Sequence, residues 1–201
     1  MSVDLFTQYP LHLNPSSKAI SLPTNSTPQI DTELENLNYL HRALQTLDPP
    51  NIPPPPLPIN PKRSAQITKL RDTANTAYRK AQYDEAVRLY SFTIGMALAR
   101  PGWEPVALAR EELGALYANR AQAQMAVQKW PEALLDARCS VECRANGNVK
   151  AWWRVAKCLA EMGRCEEAMG VLGEALENEG DGEGGRELKA LMEEVDAALK
   201  R

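Results

Sequence analysis

Arg71 with Asn75, then Asn119, then Lys150 with Arg154 are the residues of this chain whose types and spacing could do chemistry. The outer two pairs are spaced i, i+4, so each pair stands on one face of its helix. Asn is a poor helix former, and Asn75 and Asn119 inside helical segments ask for a reason beyond folding. A carboxamide donates through its nitrogen and holds a carboxylate without adding a second full charge. Three cations and two amides aimed into one groove make a receptor for a carboxylate-rich peptide. Arg79, one turn beyond Asn75 on the same face, adds a weaker contact. Taken singly, each of these reads as a solvated charge or a capping amide. It is the set that points to binding.

Other chemistries find little support. His12 and His41, the only histidines, lie outside the helical repeats, which argues against a His-based catalytic site or a His-ligated metal. No nucleophile–base pair or phosphate loop is present, so no enzyme activity and no cofactor are expected. Cys139, Cys143, Cys158 and Cys165 lack paired C-x-x-C ligand spacing and read as small buried residues in a reducing compartment. Residues 62–173 carry 17 Lys/Arg against 12 Asp/Glu, whereas residues 174–201 carry 4 against 9. That mildly basic middle suits an acidic peptide and is too weak for nucleic acid. The N-terminus lacks a signal-peptide pattern and no apolar run reaches the roughly 18 residues of a membrane span. A soluble, cytosolic protein without direct membrane insertion is therefore expected.

The elements that must position the five residues follow from composition. Twelve of the fifteen prolines fall in residues 1–61. Residues 49–61 read as an extended proline strap that cannot form a helix. Before it, residues 31–47 read as one amphipathic helix, with Leu34, Leu37, Leu40, Leu44 and Leu47 on a stripe and Asp31 or Thr32 as N-cap. Residues 1–30 read as mobile or as short strand-like pieces. A leucine stripe beside a proline strap makes no core of its own, so residues 1–61 must pack on the following domain, on another subunit, or on both; the second would make them a docking segment.

Residues 62–201 read as helices throughout, in pairs over about 67–100, 114–147 and 149–180, closed by a helix over about 184–200. The helices are expected at Lys69–Lys80, Tyr83–Arg100, Glu111–Gln128, Trp130–Ala145, Val149–Met162 and Cys165–Glu177. Each second helix opens with one phrase: Tyr83-Asp84-Glu85-Ala86, Trp130-Pro131-Glu132-Ala133 and Cys165-Glu166-Glu167-Ala168. The Ala lets paired helices approach closely. Ala133 and Ala168 are 35 apart, but Ala86 and Ala133 are 47 apart, so an insertion around Arg100–Pro105 separates the first two pairs. The second pair departs from the pattern at Gln124 and Ser140.

These repeats resemble tetratricopeptide repeats, whose period is about 34 residues. The resemblance covers residues 67–180, with 184–201 as a capping helix, and implies an all-α, right-handed superhelix of three repeats. It extends to the two-carboxylate clamp of chaperone-binding members: Arg71-x3-Asn75, Asn119, and Lys150-x3-Arg154, with Arg71 where the family usually has Lys. By that resemblance, Arg71, Asn75 and Asn119 would hold a terminal carboxylate, Lys150 an Asp side chain and Arg154 an upstream Glu. An Arg in place of Lys keeps the charge but changes its geometry. The layout as a whole resembles the cytosolic tetratricopeptide subunits of the fungal post-translational translocation complex at the endoplasmic reticulum. This implies two partners: the acidic tail of a seventy-kilodalton heat-shock chaperone, and a membrane-anchored subunit held through residues 1–61. The alternative is a free cochaperone linking chaperones of the ninety-kilodalton class to clients. Residues 193–196 spell Glu-Glu-Val-Asp, but five residues follow Asp196, and Val195 reads as a core contact beside Leu191 and Leu199. Trp152 reads as core and Trp153 as the more exposed of the two.

Overall fold

A computed structural model describes residues 8–23, 26–55, 57–180 and 182–200. Residues 1–7 and Pro56, included in the expected docking segment and strap, lie outside these. The chain divides into two compact units, Met1–Pro56 and Leu57–Arg201.

The first unit holds a two-stranded antiparallel pair, β1 (His12–Leu13) and β2 (Ile20–Ser21), and helix α1 (Pro28–Gln45). Of the two readings for residues 1–30, the strand-like one describes this pair. Thr27 caps α1 and Pro28 occupies its first turn, where the missing amide proton costs nothing. The expected start at Asp31 is therefore three residues late, and Asp31 lies in the first turn rather than at the cap. Asn38 ties strand to helix, since its Oδ1 accepts from Ile20 N and its Nδ2 donates to Ile20 O, each at 2.7 Å. No residue of α1 is buried. Leu37 and Leu40 are 37% and 39% exposed, and Leu34 and Leu44 are half-buried. Leu47 falls beyond the helix end.

The second unit stacks seven helices: α2 (Pro61–Arg79), α3 (Tyr83–Leu98), α4 (Val106–Ala126), α5 (Trp130–Cys143), α6 (Val149–Glu161), α7 (Cys165–Glu179) and α8 (Glu183–Leu199). Consecutive helices pack as neighbours, and α2, α4, α6 and α8 also touch in series. The helices carrying the five residues thus form one continuous layer. Helix α2 begins eight residues before the expected Lys69, because Asn60 accepts from Lys62 N and Pro61 sits in the first turn. The last proline of the expected strap starts a helix rather than preventing one. Helix α4 likewise begins at Val106, not Glu111, so its extension absorbs part of the insertion.

The three repeat turns share one geometry. Ala81, Gln128 and Gly163 adopt φ of 59°, 59° and 75°. After each, an amide bonds back to the preceding helix: Gln82 N to Ala77 O, Lys129 N to Gln124 O and Arg164 N to Leu159 O. This pattern satisfies carbonyls that the helix end would leave open. The following Ala86, Ala133 and Ala168 are fully buried. Gly114 performs a similar service for α4 and α5, because a Cβ there would lie 3.2 Å from Cys143 Cβ. Ser140 is buried and donates to Gly114 O at 2.8 Å, which explains its departure from the repeat pattern. Gln124 is also buried, and nothing in the structure explains its choice.

Two arginines bolt the layers together. Arg100, with a side chain only 4% exposed, meets Glu104 and Glu112 and donates to Ser64 Oγ at 2.8 Å. The inserted loop is thereby clamped to α2 and α4. Arg120 makes a two-pronged bond to Asp136 at 2.6 and 2.7 Å and reaches Ser91 Oγ at 2.9 Å, joining α3, α4 and α5.

At the C-terminal end, Val195 and Leu191 are buried as expected of a cap, but Leu199 is 44% exposed because it sits in the last turn, beyond the helix it would cover. Trp152 is buried and donates to Ala145 O. Cys158 is buried, Cys143 and Cys165 are half-buried, and Cys139 is exposed, contrary to the expectation that all four are buried.

Candidate functional site

Helix α2 supplies Arg71, Asn75 and Arg79, α4 supplies Asn119, and α6 supplies Lys150 and Arg154. A cleft of about 500 Å³ is lined by Arg71, Asn119, Lys150 and Arg154. An adjoining cleft of about 540 Å³ is lined by Asn75, Arg79, Asn119 and Arg154, together with Tyr78, Tyr90 and Gln122. Asn119 and Arg154 line both, so all six residues singled out by spacing border one groove system. The leucines of α1 belong to the other unit.

The amides are oriented from below. Asn75 Oδ1 accepts from Tyr90 Oη at 2.6 Å and from Asn119 Nδ2 at 3.2 Å. Gln122 Oε1 accepts from Arg154 Nε at 2.8 Å. Spacing overlooks Tyr90 and Gln122. Gln122 is three residues past Asn119, on the same helical face, and could have been found that way. Tyr90 is on the partner helix, 15 residues from Asn75, and only the antiparallel pairing brings them together.

The cations differ sharply in surroundings. Burial pulls the Arg154 guanidinium below its ordinary range, against the smaller opposing influence of Tyr78, Cys158 and Tyr90. Among the described residues no carboxylate lies within ion-pair distance of Arg154, Arg79 or Lys150. Arg71 has only Asp72, at 3.7 Å and largely exposed. Arg79 is spent locally, donating to Asn75 O and Thr76 Oγ1 at 3.3 Å each. Beyond Lys150 and Arg154, the groove continues past Trp153 to Glu187 on α8. Burial, and then Tyr78, push the Tyr90 phenol up to about 12, so it remains a neutral donor.

Apart from Asp72, Glu111 and Glu112, the lining offers donors and positive charge, while the amide oxygens of Asn75 and Gln122 are occupied from within. Such a surface suits an anion with several acceptor atoms. Among the described residues no group of His, Cys, Asp and Glu could hold a metal ion, and no helix is long and apolar enough to cross a membrane.

No protein-family model matches the chain. The chain is 38% identical over 161 residues to the ER protein translocation subcomplex subunit sec67 of Schizosaccharomyces pombe, covering 74% of this chain and 83% of that protein. It superposes on a chain of the Sec complex from S. cerevisiae, solved by cryo-electron microscopy, with a TM-score of 0.75 and 23% identity. That match covers 95% of this chain and 98% of the other. The second tetratricopeptide domain of human RPAP3, solved with the HSP70 peptide SGPTIEEVD, matches with a TM-score of 0.54 and 20% identity, over 67% of this chain and 98% of that domain. These likenesses establish the all-helical tetratricopeptide fold.

Proposed function

From the premise that this chain belongs to the family of the ER protein translocation subcomplex subunit sec67, we propose that it is a non-enzymatic adaptor which binds the acidic C-terminal tail of a cytosolic seventy-kilodalton chaperone. The observation that carries this reading is Arg154, a partly desolvated guanidinium with no carboxylate partner among the described residues, facing the same groove as Asn75 and Asn119. A half-buried cation without a counter-charge is costly in proportion to its desolvation, and a ligand carboxylate offsets that cost. A peptide ending in Glu-Glu-Val-Asp supplies several within a few residues. Arg71, Asn75 and Asn119 receive the terminal carboxylate, Lys150 the Asp side chain and Arg154 an upstream Glu. Arg79 adds charge to the inner cleft.

Residues 1–61 hold the receptor at the endoplasmic reticulum by docking to a membrane-anchored subunit of the translocation complex. The absence of any buried residue on α1, with leucines on its surface, supports this role. The chaperone then delivers precursor polypeptides where they are to be translocated.

Titration of a free-acid peptide ending in Glu-Glu-Val-Asp into the protein and into Asn75→Ala tests the receptor, and equal affinity for both would sink it. Deleting residues 1–56 spares the Asn60 cap of α2 and tests the docking. Membrane recruitment should be lost while peptide affinity stays; recruitment that persists refutes the docking role.

A further inference from the structure

We infer that Tyr90 is a positioning residue of the groove: its hydroxyl, acting with Asn119, holds the Asn75 carboxamide in the one orientation that turns its NH2 toward ligand. The inference rests on the carboxylate-binding reading and deepens it. A carboxamide has a donor end and an acceptor end of nearly the same shape, and half a turn about its terminal bond exchanges them. An Asn on a groove wall would therefore present either end. If the oxygen faced the ligand, Asn75 would repel the carboxylate it is meant to hold.

Two donors on the inner side settle the orientation. Tyr90 Oη lies 2.6 Å and Asn119 Nδ2 3.2 Å from Asn75 Oδ1. In the rotated amide, the Asn119 N–H would meet another N–H unless that amide turned too, and the Tyr90 hydroxyl, left to accept from Asn75 Nδ2, would have no acceptor there for its own proton. Tyr90 is almost fully buried on α3, so its ring is fixed by packing and its hydroxyl delivered from a rigid element. The raised phenol pKa keeps that hydroxyl protonated across the physiological range. Asn119 spends one N–H on Asn75 and keeps the other for ligand. The oxygen of Gln122 is likewise consumed by Arg154. The single carboxylate bordering the inner cleft, Asp72, is largely exposed and turned to Arg71. Selectivity for a carboxylate over an uncharged amide is thus built in behind the contact residues, at the α2–α3 packing.

The experiment uses the full chain and two probes of one sequence ending in Glu-Glu-Val-Asp, one with a free C-terminal carboxylate and one amidated. Calorimetric affinities are measured for wild type, Tyr90→Phe, Asn75→Ala and the double variant, with thermal melts alongside. Tyr90→Phe removes one neutral hydrogen bond and keeps the ring, so free-acid affinity should fall about fivefold. Amide affinity should barely move, and Tm should fall by no more than a few degrees. On the Asn75→Ala background, Tyr90→Phe should change neither affinity. An unchanged acid-to-amide preference in Tyr90→Phe, with that preference lost in Asn75→Ala, overturns the positioning role alone. Equal weakening of both probes by Tyr90→Phe also overturns it, marking a packing role. Should Asn75→Ala itself keep the preference, the carboxylate-binding reading fails as well.

Discussion

Replacing Arg154 by Met should weaken peptide binding without weakening the fold. Arg154 meets no carboxylate among the described residues, and its Nε is held by Gln122 at 2.8 Å. Losing a charge-assisted hydrogen bond to ligand costs about 1.5–3 kcal/mol, so Kd should rise roughly 10- to 150-fold. The folded state loses only the bond to Gln122, whose freed oxygen lines the cleft and can take water. Against that loss, a desolvated charge disappears and the Met stem keeps much of the aliphatic packing. Replacing a buried charge by an apolar side chain of similar volume is often neutral or stabilising, so ΔΔG should lie between zero and about 1 kcal/mol in favour of the variant. Calorimetry with the free-acid peptide gives the first quantity and a thermal melt gives the second. Because part of the attraction is long-range, wild-type affinity should also weaken as salt is raised from about 0.05 to 0.5 M. A fall in Tm accompanying the loss of affinity would refute the reasoning and make Arg154 a structural residue. Unchanged affinity would refute it from the other side.

Three further outcomes are expected. Arg100→Met leaves the carboxylates of Glu104 and Glu112 buried without a cation; it should cost about 3–5 kcal/mol, lowering Tm by roughly 10 °C, with peptide affinity below the transition little changed. Gln128→Gly relieves a left-handed backbone at φ 59°; the relief of about 1–2 kcal/mol outweighs the added freedom of the unfolded chain, about 0.4–1 kcal/mol, so denaturant titration should show a small stabilisation. Cys158 is buried, and burial pushes its thiol from 9.0 to about 12. Between those values the unfolded chain sheds a proton that the native state keeps, so stability is intact below pH 9 and falls as pH rises toward 12. Denaturant midpoints from pH 8 to 10.5 should fall less steeply in Cys158→Ala; identical slopes would exclude this thiol as a source.

Much of the repeat layer was readable because its signals are local. The Ala of the turn phrase recurs 35 residues apart in the last two pairs, and Asn119 and Arg154 each lie 14 residues before it, with Arg71 15 before its own and Asn75 and Lys150 one turn away. What was missed is of two kinds. One kind is local but ambiguous: Pro61 reads as a helix breaker, yet behind the Asn60 cap it is a helix starter. Ala81 and Gln128 occupy positions where Gly163 gives the expected signal, but their side chains carry none. The other kind is non-local. Tyr90 and Asn75, or Arg100 and Glu112, meet only once helices pair, and no spacing rule announces them. Leu199 shows the converse error, an apolar residue in register with a stripe that ends before it is covered.

The basic excess of residues 62–173 gains meaning when its arginines are sorted by partner. Arg100 and Arg120 are nearly or largely buried and each is matched by carboxylates: Glu104 and Glu112 for the first, Asp136 for the second. Those acids lie on the loop and helices that the arginines join, and Glu112, though it borders the outer cleft, has its charge met by Arg100. Arg71, Arg79, Lys150 and Arg154 border the groove, and among the described residues the only carboxylate paired with any of them is Asp72, at the outer limit of an ion pair. A surface that needed only stability or solubility would gain from interspersed acids on the same face. Here Glu111, Glu112 and Glu187 border the groove, but among the described residues none of them pairs with its cations, and the amide oxygens that might have offset the charge are turned inward by Tyr90 and Arg154. Restoring balance should therefore abolish binding while helping the fold: Gln122→Glu, which puts a carboxylate 2.8 Å from Arg154 Nε where the amide oxygen now sits, should raise Tm and weaken the free-acid peptide at least tenfold. A Gln122→Glu protein that binds the peptide as wild type does would show that the unpaired charge of Arg154 is not what the ligand answers.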